Sequence, residues 1–105
     1  YEIESTIQLQ ANHHALQISS DAYQPILKPG WWLLCDRQRP AQTADWLCIQ
    51  FINKFCLILE LQRETEQELQ CQSLDGKRQV RFQKQDVQQA EVVIAILHPE
   101  QIQRR

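Results

Sequence analysis

An all-β domain, a compact barrel or paired sheets of short and mostly antiparallel strands, is what this sequence predicts. Three features carry that expectation. Apolar and polar residues alternate with period two along most of the chain, as on strands with one buried face. Extended helical periodicity is absent. Turn chemistry recurs between the apolar runs, at Pro25, Lys28-Pro29-Gly30, Arg39-Pro40 and Asp75-Gly76.

The elements follow in order. Thr6-Ile7-Gln8-Leu9-Gln10 and Ala15-Leu16-Gln17-Ile18 alternate cleanly. Trp31-Trp32-Leu33-Leu34-Cys35 and the run from Trp46 to Ile52 are more continuously apolar, which predicts strands buried on both faces. On the first of these, the rings of Trp31 and Trp32 should point to opposite faces. Phe55 to Leu61 is a further apolar run, and Glu68-Leu69-Gln70-Cys71 alternates again. The charged stretch between them, from Glu64 to Leu69, reads as a loop or one helical turn. Asp75-Gly76 predicts a hairpin with a type I′ turn, both central residues at positive φ, leading into Val80-Arg81-Phe82. Ala90 to Leu97, rich in β-branched residues, forms the closing strand and Pro99 ends it. Gln, roughly one residue in six, is dispersed along solvated strand faces rather than in tracts.

At 105 residues the chain is a single domain spanning 1–105, and 43% hydrophobic residues suffice for a modest core. Lys and Arg number 11 against 13 Asp and Glu, a net charge of −2. That balance argues against a nucleic-acid surface on this domain, which would need a basic face to neutralise phosphates. No apolar run approaches the roughly 20 residues of a membrane-spanning helix. The chain opens Tyr1-Glu2-Ile3-Glu4, with neither an initiator Met nor a leader, so it reads as part of a longer cytoplasmic protein. Cys35, Cys48, Cys56 and Cys71 contain no C-x-x-C pair. They are expected to be reduced, with Cys48 and Cys56 acting as small hydrophobes in their strands. No metal or cofactor is expected, since His13, His14 and His98 form no spaced ligand set with carboxylates.

Residues 15–30, with the stretch Ser19-Ser20-Asp21-Ala22-Tyr23-Gln24-Pro25 at their centre, carry the most information. A strand runs into a short polar turn, then the apolar pair Ile26-Leu27, then Lys28-Pro29-Gly30. A strand ending Cys35-Asp36 follows, and then a Pro-containing loop through Arg39-Pro40 to Ala44-Asp45-Trp46-Leu47. Ala90-Glu91-Val92-Val93-Ile94-Ala95-Ile96-Leu97-His98-Pro99 closes the series. In order and spacing this resembles the C-terminal domain of LexA/CI-type repressors, which are self-cleaving peptidases of the LexA/signal-peptidase fold. The likeness extends from Ala15 to Pro99. Two departures stand out: Ala44 replaces a Gly of the family pattern, and Trp31 replaces an Asp.

The resemblance implies a Ser–Lys dyad, and neither member is present. The serine nucleophile falls on Ala22, and a methyl group cannot attack a carbonyl. The lysine base falls on the run Phe55 to Leu61, which contains no Lys; Ile58 is the best match and Leu59 the second. A base there would need burial to lower its pKa, and an aliphatic residue instead adds to the core. Substitutes are poor. Ser19 and Ser20 precede the turn that would expose a nucleophile. Lys54 falls in the Asn53-Lys54 turn, where an exposed amine stays charged. His13-His14 reads as a solvated polar turn, and Cys35 has no His beside it by motif.

Taken together, these readings imply a non-catalytic dimerisation or regulatory domain of a phage-type or stress-response transcriptional repressor. Such a domain forms a homodimer and meets DNA only through a separate N-terminal helix-turn-helix domain. Two alternatives belong beside it. One is an active self-cleaving domain silenced by an engineered Ser-to-Ala change at Ala22. The other is a peptide-binding module whose cleft holds an extended segment, such as its own linker, without cutting it.

Overall fold

The computed structural model describes residues 12–99, together with the backbone of two short strands, β1 (Glu2–Ile3) and β9 (Ile102–Gln103), which pair antiparallel. The expected strand over residues 6–10 lies outside the described residues. The remaining strands are β2 (His13–Gln17), β3 (Trp32–Asp36), β4 (Trp46–Phe51), β5 (Cys56–Glu64), β6 (Glu68–Gln72), β7 (Gln79–Gln83) and β8 (Val87–Leu97). They form one sheet in the order β2-β3-β8-β4-β5-β6-β7, every pairing antiparallel. The domain is all-β, as its periodicity predicts. A 3₁₀ turn, Lys84–Asp86, joins β7 to β8, and no helix among the described residues is long and apolar enough to cross a membrane.

Strand alternation divides the apolar residues between two cores, one on each side of the sheet. On one side Leu47 and Ile49 of β4 meet Leu59 and Leu61 of β5, Leu69 and Cys71 of β6 and Val92 of β8. On the other, Cys48 and Ile58 meet Leu33 and Cys35 of β3, with Ile18 and Leu27 from the connection between β2 and β3. This is why β3 and β4 are continuously apolar: their central residues are buried whichever way they point.

The first core is enclosed by the curl of the sheet. Phe51 at the end of β4 and Phe82 on β7 touch, ring centroids 4.8 Å apart. In a flat sheet three strand spacings would separate them by about 14 Å. Ile52 N–H donates to the Asp86 carbonyl (3.0 Å), tying the end of β4 to the entry of β8. Among the described residues side-chain packing, not a ladder, spans the seam between β7 and β8.

Turns depart from expectation in one instructive place. The β6–β7 connection is a turn over Ser73–Gly76, closed by Gly76 N–H to the Ser73 carbonyl (2.8 Å). Only Gly76 has positive φ (+76°), so Leu74 and Asp75 occupy an ordinary turn and Gly76 follows it as the left-handed residue. The type I′ expectation is corrected, because the loop is longer than two residues. The stretch from Glu64 to Leu69 holds a tight turn in which Thr65 Oγ1 accepts the Glu68 N–H (3.1 Å).

Candidate functional site

Residues 18–31 leave the sheet as a closed loop whose ends are pinned together. Ile18 N–H donates to the Trp31 carbonyl and Gly30 N–H to the Ile18 carbonyl, both at 2.8 Å. Gly30 sits at φ +92°, which a side chain at this position would oppose. Leu27 is fully buried and plugs the loop into the second core. Trp31 packs on the same core and meets His98 edge-on at 4.6 Å between ring centroids. At the loop's tip Ser20 Oγ accepts the Ala22 N–H (3.0 Å), while Ile26 and Leu27 N–H groups both reach the Tyr23 carbonyl (3.0 Å each). These bonds fix Ala22, an exposed residue, at the rim.

β5 forms the opposite wall. Its ladder to β4 begins at Cys56, but its ladder to β6 begins only at Glu60. Residues 56–58 therefore have strand pairing on one flank alone. On the other, the Ile58 N–H is satisfied by a side chain: it donates to the Tyr23 hydroxyl oxygen at 3.2 Å. The gap between the loop and the β6–β7 connection is a cleft of about 440 Å³, lined among others by Ala22, Tyr23, Ile58, Leu74, Arg78 and Val80. Burial raises the Tyr23 hydroxyl above its ordinary pKa, and the Ile58 N–H opposes that shift. Tyr23 is thus a neutral phenol at physiological pH, free to donate its own proton into the cleft.

The two positions singled out by motif order come together here. Ala22 and Ile58 line one cleft, from the loop side and the strand side. Alternation separates Ile58 from its neighbour Leu59. Both side chains are nearly buried, Ile58 in the loop-covered core and Leu59 in the curled one. Ile58 is therefore the residue whose side chain shares the loop's side of the sheet. Lys54 is exposed at the β4–β5 hairpin, as expected. Ser19 and Ser20 line a separate small pocket of about 170 Å³ with Cys48, Cys56 and Tyr23.

Three expectations need correction or refinement. His13 and His14 are not in a solvated turn; they belong to β2, because the ladder to β3 continues two residues before Ala15 and pairs them with Asp36 and Cys35. His13 Nε2 lies 3.5 Å from the Asp36 carboxylate and His14 Nδ1 lies 2.6 Å from that of Glu91. Cys56 is exposed, since it starts β5 at the hairpin, while Cys35, Cys48 and Cys71 are buried; all four are free thiols. A hydrogen bond with Cys48, then burial, raises the Cys35 thiol, and burial alone pushes Cys71 up to about 11. Trp31 precedes β3 and Trp32 opens it, so the two rings do not alternate along one strand as expected, and both are half-buried.

Two features escaped the sequence. Tyr23 sits 35 positions from the strand it caps, and nothing in local pattern links them. Glu91, 4% exposed, is the buried carboxylate of the structure among the described residues. It receives His14 on one oxygen and the Arg37 Nε (3.2 Å) and the Gln89 amide (2.6 Å) on the other, so both buried carboxylate oxygens have partners. No group of three or more His, Cys, Asp or Glu side chains among the described residues is arranged to hold a metal ion.

Ala44 ties the departures from the family pattern to geometry. It occupies the third position of the turn Gln42–Asp45, closed by Asp45 N–H to the Gln42 carbonyl (3.0 Å), at φ +76°. That is the position where a type II turn favours Gly. Beyond the resemblance carried by these residues, no family model and no curated protein matches the chain.

Proposed function

We propose that this chain is a non-catalytic dimerisation and regulatory domain of a phage-type or stress-response transcriptional repressor, acting in the cytoplasm, with DNA read by another domain. The observation that carries the reading is the cleft itself. A loop tip and a strand face each other across it, as a nucleophile and its base would, and the residues there are Ala22 and Ile58. Neither side chain has an atom that can take or give a proton, so the arrangement keeps the shape of a peptidase site without its chemistry. The left-handed Ala44, standing where the pattern has Gly, supports the same alignment from an independent position. The net charge of −2 fits a domain that leaves phosphate recognition to a partner module.

Two measurements test the proposal. Sedimentation equilibrium at micromolar concentration should find a dimer; a strict monomer overturns the dimerisation role. The Ala22→Ser variant, incubated at alkaline pH where any candidate base is deprotonated, should remain intact by mass spectrometry. Cleavage by that single change would mean that a base elsewhere than position 58 serves the site, and the domain would then be a silenced peptidase.

A further inference from the structure

All three phenylalanines of the chain, far apart in sequence, meet where the curled sheet closes on itself. Phe51, Phe55 and Phe82 line one open pocket of about 510 Å³, together with Ile52, Leu57 and Asp86 among others. The β4–β5 turn places two of the rings. Phe51 N–H donates to the Phe55 carbonyl and Lys54 N–H to the Phe51 carbonyl, both at 2.8 Å. Phe51 and Phe55 therefore stand opposite each other, and opposite residues of an antiparallel pair share a face. Phe82 arrives from β7, its ring 4.8 Å from that of Phe51 at an interplanar angle of 59°. Phe51 and Phe82 are half-buried against the curled core, whereas Phe55 is 58% exposed and Ile52 62% exposed. Side chains so open to water add little to the fold, and together they make an apolar outer wall.

Among the described residues that line this pocket, Asp86 alone is ionisable. The Ile52 N–H on the Asp86 carbonyl (3.0 Å) holds that residue against the turn. Its carboxylate has no ion pair or side-chain hydrogen bond among the described residues. The neighbouring cations are engaged or placed elsewhere. Lys84 is bound to Glu64 (2.6 Å), and Arg81 alternates with Phe82 along β7, so it points to the other face. Lys54 shares the turn but does not line the pocket. Faces of aromatic rings attract cations, and a carboxylate beside them adds a second attraction. A compact ammonium is strongly hydrated and gives up its water at high cost. One wrapped in methyl groups gives up less, and its methyls also bury apolar area on the rings.

We propose that this pocket binds a small quaternary ammonium ion, its methyl groups against Phe51, Phe55 and Phe82 and its charge toward Asp86. The proposal is independent of the regulatory reading above, since neither Ala22 nor Ile58 lines this pocket.

The test uses the intact chain and two probes, choline and its uncharged isostere neopentylcarbinol, in which a tert-butyl group replaces trimethylammonium. Binding is read from the phenylalanine ring resonances. Choline should shift all three rings and bind about tenfold tighter than the alcohol, the part of the affinity that charge supplies. Asp86→Asn should weaken choline about fivefold and leave the alcohol unchanged. Phe55→Ala, at an exposed position, should weaken choline about tenfold with the remaining amide spectrum intact, and Phe55→Tyr should restore it. Equal affinity for choline and the alcohol overturns the proposal, since the pocket would then be an apolar patch alone. Choline binding untouched by both Asp86→Asn and Phe55→Ala overturns it as well. Acetyl-trimethyl-lysine amide bound more than about tenfold tighter than choline would replace the free cation with a methylated protein side chain. Rings that choline reaches only in dilute protein would mean that a second copy covers the pocket, and this too overturns the proposal.

Discussion

A single dihedral angle separates two kinds of turn residue in this protein. Gly76 and Gly30 adopt positive φ at no steric cost, whereas Ala44 (+76°) and Lys54 (+70°) adopt it against the crowding of Cβ by the backbone. Both sit in turns that fix the angle. Ala44 closes the loop into β4, and Lys54 ends the β4–β5 turn with its N–H on the Phe51 carbonyl (2.8 Å). Relief of about 1–2 kcal/mol per residue on changing to Gly is partly offset by about 0.5–1 kcal/mol of added freedom in the unfolded chain. Ala44→Gly and Lys54→Gly should each stabilise the domain by about 0.5–1 kcal/mol in urea titration, and the two should add, being on separate turns. A loss of stability on Ala44→Gly would show that the turn does not require the left-handed angle. The residue scale is also where sequence reading reached furthest into the site. Motif order brought Ala22 and Ile58 forward as a pair, because a turn and a strand each keep a local signature. It could not find Tyr23 or Glu91, whose roles depend on partners that only the fold brings near. In its own strand Glu91 looks like an ordinary polar residue between Ala90 and Val92, and its burial follows from His14 and Arg37 arriving from elsewhere.

At the scale of elements, the strands were legible because period two and continuous apolar runs are properties of the chain alone. Their ends and neighbours were less so. β8 runs from Val87, three residues before its apolar run begins, because pairing with β4 continues through the polar Gln88 and Gln89 with a bulge there. β2 likewise starts at His13, since its two histidines find carboxylates, Asp36 on the neighbouring β3 and Glu91 on β8 beyond it. That edge strand is held by more than its backbone: His14 and Arg37 both converge on Glu91, joining β2, the end of β3 and β8. Removing one donor leaves a buried carboxylate short of a partner, which costs more than the bond itself contributes. His14→Ala should therefore lose about 1–3 kcal/mol of stability, the range for a buried acceptor left unsatisfied. The companion change Glu91→Gln, which removes the charge, should shrink that penalty in a double-mutant cycle. Additive effects would mean that His14 acts through strand packing and not through the carboxylate. Hydrogen exchange at the amides of β2 gives a second reading, since a loosened edge strand opens before the central ones.

Across the whole molecule, the two cores are opposite faces of one sheet, so β4 contributes Leu47 and Ile49 to one and Cys48 to the other. β5 does the same with Leu59 and Leu61 on one side and Ile58 on the other, so neither of these two central strands can leave one core and keep the other, which makes the domain a single cooperative unit. Three of its four thiols are built into those cores, and their titration couples the whole fold to alkaline pH. Burial raises Cys71 from an ordinary value near 9.0 to about 11, and Cys35 is raised too, first by its hydrogen bond with Cys48 and then by burial. Tyr23 is shifted upward by the same desolvation. A group whose folded pKa lies above its unfolded one holds its proton more tightly when folded. Its contribution to stability is complete below the unfolded pKa and is lost as pH climbs through the folded one. For Cys71 that window runs from about pH 9 to about pH 11. The midpoint of urea unfolding should accordingly hold steady from pH 7 to pH 9 and decline above it. Cys71→Val, close in volume and without a proton to lose, should make that decline shallower while costing less than about 1.5 kcal/mol at pH 7. The Trp and far-ultraviolet signals should fall together at every pH, because both cores depend on the same strands. An unchanged slope in Cys71→Val would assign the alkaline loss to Cys35 and Tyr23 on the loop-covered face, and a separation of the two signals would break the argument that one sheet binds both cores into one transition.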